Sequence, residues 1–132
     1  MNLINGSIPQ PFVDPLKGVN IPALCEALEL DRTQLAKASG ASKQSIAHYF
    51  KLPRYVKPRK DDLSEFIGKL LRFHALLTAA IGKEASKEDV REWMHSPNVA
   101  LEFKRPVDLI CEKQIGILIK KLEDILFSAQ GA

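Results

Sequence analysis

Between Asp31 and Lys51 the sequence DRTQLAKASGASKQSIAHYFK leaves the backbone few routes, and this constrains the chain more than any other stretch. It predicts a short helix, a tight turn and a second short helix. Asp31 is an N-cap residue with Gln34 three positions on, the spacing of a capping box. Gly40 follows at the point where a helix ends in a left-handed residue. Ser42 can cap the second helix. Leu35 gives the first helix its apolar contact, Ala36 is small where the two helices cross, and Ala41 can tuck under the turn. In the second helix Ile46, Tyr49 and Phe50 repeat at the spacing of a buried stripe. Lys43, Gln44, Ala47, His48 and Lys51 fall on the opposite side. One face docks and the other offers donors long enough to reach base edges and phosphates, the division of labour of a helix-turn-helix that reads duplex DNA.

Charge is distributed to match. The whole chain carries a formal charge of only +3. Residues 31–60 hold eight Lys or Arg (Arg32, Lys37, Lys43, Lys51, Arg54, Lys57, Arg59 and Lys60) against one acid, Asp31. Outside that window acids outnumber bases. Such concentration is the footprint of phosphate neutralisation. The expected base-edge residues are Lys43, Gln44 and His48, with Arg32, Lys51 and Arg54 on phosphates. A solvated basic loop with no partner is the plainer account of Lys51–Lys60, which contains Pro53 and Pro58.

The remaining sequence predicts an all-α fold. Residues 1–18, with Pro9, Pro11 and Pro15, read as an extended arm. Asn20 caps a helix of about Ile21–Leu28, with Pro22 in its first turn. A long helix over about Asp61–Ile81 is apolar on more than one side and so is expected to be buried on two. Ser86 caps a helix of about Lys87–His95 that Pro97 ends. Pro106 begins a brief helix, and the last helix, about Lys113–Phe127, sets Ile115, Leu118, Ile119, Leu122, Ile125 and Leu126 on one side. Ile117 falls outside that stripe. No strand alternation and no internal repeat is visible. The organisation expected is an arm (1–18), a helix-turn-helix unit (19–60) and a helical partner-binding and dimerisation domain (61–132).

The segment Glu92–Ile110, EWMHSPNVALEFKRPVDLI, carries a second pattern. A tryptophan-bearing helix (Trp93) runs into Pro97-Asn98; the pair Ala100-Leu101 follows, then Pro106-Val107-Asp108-Leu109. Placed after a helix-turn-helix, this resembles the Xre/MbcA/ParS antitoxin family, and the two motifs together span about Ile21–Phe127. The resemblance implies an antitoxin of a type II toxin–antitoxin system. Such a protein occludes a cognate toxin, in this family often an enzyme that consumes or uses NAD, and represses its own operon by binding double-stranded DNA as a homodimer or higher assembly. One departure stands out. Glu102-Phe103-Lys104-Arg105 occupies a position where family members often have glycines. Phe103, Lys104 and Arg105, together with Phe127, are the residues expected to meet the toxin. A phage-type repressor without a toxin, and an interaction module that no longer reads DNA, are the alternatives left open.

No catalytic signature is visible: no glycine-rich phosphate loop, no HExxH, no nucleophile elbow. No catalytic residue, metal site or cofactor is expected. Glu92 and His95 form a lone Glu-x-x-His pair, where di-iron bundles need two pairs and further carboxylates. Cys25 and Cys111 read as small core residues of a reducing cytosol. No apolar run approaches the roughly 20 residues that span a bilayer, and no secretory signal is visible, so the protein is expected in the cytoplasm, away from membranes.

Overall fold

The computed structural model describes residues 12–14, 18–51, 62–82 and 84–131. Their order is β1 (Val13–Asp14), β2 (Gly18–Val19), α1 (Ile21–Ala27), α2 (Arg32–Ser39), α3 (Lys43–Lys51), α4 (Asp62–Ile81), α5 (Lys87–His95), a 3-10 turn (Val99–Leu101), α6 (Pro106–Cys111) and α7 (Ile115–Gly131). The fold is all-α, as the periodicity predicts.

The helix starts follow from their caps. The Ala23 N–H donates to Asn20 Oδ1 at 3.1 Å, with Pro22 in the first turn of α1. Ser86 and Asp89 form a capping box at α5. Pro106 opens α6, where its missing N–H costs nothing. The last helix starts two residues later than expected and runs further, to Gly131.

One hydrophobic cluster runs from Ile21 to Leu122. Its spine is α4, about 30 Å long at 1.5 Å per residue. Leu63, Ile67, Leu70 and Leu77 form one buried row, while Phe73 and Leu76 are buried on a second side. This helix packs along α7 and also touches α1 and α2. Truncating a fully buried member such as Leu70 to alanine costs about 2–5 kcal/mol. The small helix α6 lies against α2, α5 and α7, with Pro106, Val107, Leu109 and Ile110 all buried. Surface ion pairs tie the periphery together: Arg72 to Glu123 (2.9 Å), Lys87 to Glu26 (2.7 Å) and Arg91 to Glu29 (3.1 Å). Exposed pairs of this kind add little each.

Four local expectations are corrected. The first is β1 pairing antiparallel with β2, Val13 opposite Val19, where no strand is expected. Two-residue strands are too short to show alternation. They are held from outside: the Phe12 ring meets His74 of α4 edge-on at 4.8 Å, and the Asn20 N–H donates to the Phe12 carbonyl at 2.8 Å. In α7, Ile125 is 54% exposed rather than in the stripe, whose buried members are Ile115, Leu118 and Leu122. In α4, where Phe73, Leu76 and Ala80 are expected by helical period to widen the apolar stripe, Phe73 and Leu76 are buried but Ala80 is exposed. Phe50 is only half-buried, with the Arg32 guanidinium over its ring instead of an apolar neighbour on that side.

Candidate nucleic-acid and partner surfaces

The α2–α3 pair is built as its residues predict. The Gln34 N–H donates to Asp31 Oδ1 at 2.8 Å, and the Asp31 N–H donates to Gln34 Oε1 at 2.9 Å. Gly40 takes φ +79°, and its N–H donates to the Ala36 carbonyl at 2.9 Å. A side chain is strained at that φ, so glycine is the residue the turn selects. The Ser45 N–H donates to Ser42 Oγ at 3.1 Å, capping α3. Leu35 and Ile46 are fully buried between the helices, and Tyr49 is buried at their edge.

The opposite side of α3 is open. Lys43, Gln44, His48 and Lys51 are exposed along it, with half-buried Ala47 between them. The His48 ring stands edge-on to Tyr49 at 5.7 Å. Arg32 stands at the start of α2, its guanidinium 4.7 Å from the centre of the Phe50 ring. Such a contact holds the charge in place without neutralising it. Arg54 lies outside the described residues.

The ion pairs divide the surface. Six pairs occur among the described residues, and all lie on α1, α4, α5, α6 or α7 or at the ends of α1 and α6. Arg32, Lys37, Lys43 and Lys51 belong to none of them. Asp31, the N-cap of α2, is the one acid on this helical pair, and it forms no ion pair with these exposed cations among the described residues.

The second candidate surface is the loop before α6. Asn98 Oδ1 accepts from the Ala100 N–H at 2.9 Å and starts the 3-10 turn. The chain then doubles back. The Phe103 N–H donates to the Asn98 carbonyl at 2.8 Å, and the Lys104 N–H donates to that of Leu101 at 3.2 Å. Both central residues of the turn have positive φ, Glu102 at +58° and Phe103 at +65°. This is the type I′ arrangement that asparagine and glycine ordinarily occupy. Phe103 is 71% exposed at its tip and Val99 is 76% exposed on the same loop. Lys104 is exposed and belongs to no ion pair. Arg105, also exposed, donates through Nε and Nη2 to the Asp108 carboxylate at 2.8 and 2.9 Å. The guanidinium in turn holds the Asp108 carboxyl below its usual range. Phe127, 57% exposed, stands on a separate element, α7, as does Ile117 at 45%.

Other groups are placed structurally. Trp93 is half-buried with its ring tilted against Phe73 at 6.0 Å. Burial pushes the Cys25 thiol up to about 12, so it stays protonated at neutral pH. Burial also raises Cys111. Among the described residues no group of three His, Cys, Asp or Glu side chains is placed to hold a metal. No described helix is long and apolar enough to cross a membrane.

Two features escaped the sequence reading. Val99 falls in a segment that reads only as a short turn, and the 3-10 turn leaves it 76% exposed. Lys113 has no local signal at all; its position against α2 depends on how α6 packs.

No protein-family model matches this chain, and no curated protein matches its sequence. Among solved structures, it is similar in fold to a chain of the M. tuberculosis MbcT–MbcA toxin–antitoxin complex. The TM-score is 0.54 at 20% identity, over 80% of this chain and 88% of that one. The class defined here is therefore a helical fold shared with a component of a toxin–antitoxin complex.

Proposed function

We propose that this chain is an antitoxin that binds and occludes a protein toxin and represses its own operon through α2 and α3. The observation that carries the DNA half is the segregation of charge. Among the described residues the cations on α2 and α3 form no ion pair, while those on α4 and α5 are paired. Lys43, Gln44 and His48 read base edges, and Arg32, Lys51 and Arg54 hold phosphates. Two copies bind half-sites about 34 Å apart, one duplex turn, as a homodimer or larger assembly. The protein half uses residues 61–132, with Phe103 and Lys104 on the strained turn and Phe127 on α7. Occlusion is steric, and the chain itself performs no catalysis. The fold shared with a chain of the MbcT–MbcA complex and the motif Trp93, Pro97-Asn98, Pro106-Val107-Asp108-Leu109 support this half. The protein works in the cytoplasm, where its operator and a newly made toxin are found.

Two measurements test the reading. Titration against the DNA upstream of its own gene should show binding that weakens steeply with salt. Co-expression with the adjacent gene should yield a stable complex. Complex formation without DNA binding would reduce the protein to an interaction module; DNA binding without a complex would make it a plain repressor.

A further inference from the structure

The turn between α6 and α7 sends a lysine to the α2–α3 turn. Glu112 ends α6; the Lys113 N–H donates to the Ile110 carbonyl at 3.1 Å and the Gln114 N–H to that of Leu109 at 2.8 Å. This pair of bonds is a Schellman ending, with Lys113 at its left-handed position, φ +63°. Glycine is the residue that suits this position, and a side chain there is strained. Glu29 ends α1 the same way at φ +55°, and its carboxylate is used by Arg91. Lys113 has no such partner among the described residues, and it is exposed.

Its ammonium instead lies against Gly40, with Nζ 3.3 Å from where a Cβ on that glycine would stand. Gly40 is two residues before Ser42, the cap of α3. Glu65 lines the same cleft and pairs there with Lys69 at 4.0 Å, not with Lys113. A strained lysine that forms no ion pair among the described residues thus has its ammonium at the α2–α3 turn. Resting on the DNA reading above, we infer that Lys113 is a phosphate-contacting residue, lent to the nucleic-acid surface by the half of the chain that meets the protein partner.

The competing role is structural: a cation near the C-terminal end of α2 is favourable by the helix dipole. Lys113→Gly separates the two, because it relieves the backbone while removing the charge. In the full chain, Lys113→Gly should raise the thermal midpoint. It should weaken binding to cognate and random duplex alike and make the slope of log K against log salt shallower by about one. Lys113→Arg should keep the wild-type slope. Lys121→Gln, which removes an exposed charge on α7, should leave the slope unchanged.

An unaltered slope for Lys113→Gly in a chain that otherwise binds DNA normally would overturn the assignment. So would a lowered midpoint with unaltered slope, which identifies the dipole role, or an equal slope change for Lys121→Gln, which identifies bulk charge. A wild-type chain with no salt-dependent binding to any duplex would overturn the DNA reading itself, and Lys113 with it.

Discussion

Phe103→Gly should strengthen the fold and weaken the toxin complex. A phenylalanine offers about 200 Å² to a partner, and 71% of this residue is exposed. Covering that fraction removes about 140 Å² of largely apolar surface from water. At ~25 cal/mol per Å² the gross gain is about 3.5 kcal/mol. Ordering of the partner and imperfect pairing reduce the net to about 2 kcal/mol, or roughly 30-fold in Kd. The backbone effect has the opposite sign. Phe103 sits at φ +65°, where a side chain costs about 1 kcal/mol that glycine does not incur. Calorimetric titration of the variant against the toxin, with thermal denaturation of the free variant alongside, reads both effects. A Kd within threefold of wild type would refute the anchoring role. A lowered midpoint would refute the argument that the turn is strained.

Gln44→Ala should cost roughly 1–3 kcal/mol on the cognate operator and little on random duplex, whereas Lys51→Ala should weaken both alike; equal losses for Gln44 on the two duplexes would exclude base reading. Burial lowers the His74 pKa below its ordinary 6.5. The unfolded chain therefore takes up a proton first as pH falls, and the denaturation midpoint should drop below about pH 6.5 and then level off beneath the folded-state pKa. His74→Phe should remove that drop. Truncation before Asp124 spares Leu122 and the Arg72–Glu123 pair but removes Ile125, Leu126 and Phe127. It should abolish rescue of toxin-expressing cells while operator binding persists in a gel shift.

Much of this was legible in the residues because the deciding interactions are local. Asp31 with Gln34, Ser86 with Asp89, Asn20 with Ala23 and the turn at Gly40 all act within four positions, and each stands where its spacing predicts. The outward face of α3 follows from helical period alone. What could not be read depends on distant packing. Ile125 looks like core by period, yet it stands 54% exposed. Phe12 and His74 meet across some sixty residues, and that meeting, not alternation, makes β1 and β2. The Arg105–Asp108 pair, by contrast, is local, and its i,i+3 spacing was readable. The positive φ at Glu102, Phe103 and Lys113 is invisible in sequence, because these residues replace the glycines that would have announced it.

The placement of α6 has a consequence for how such a chain can change. Its six residues are a party wall: one side supports the helix carrying Arg32, the other supports α5 and the foot of α7. An exchange at Leu109 or Ile110 would disturb both neighbours together. Adaptation to an altered partner is thereby channelled to Val99, Phe103 and the outer rim of α7, where novelty can accumulate without loosening the masonry behind it.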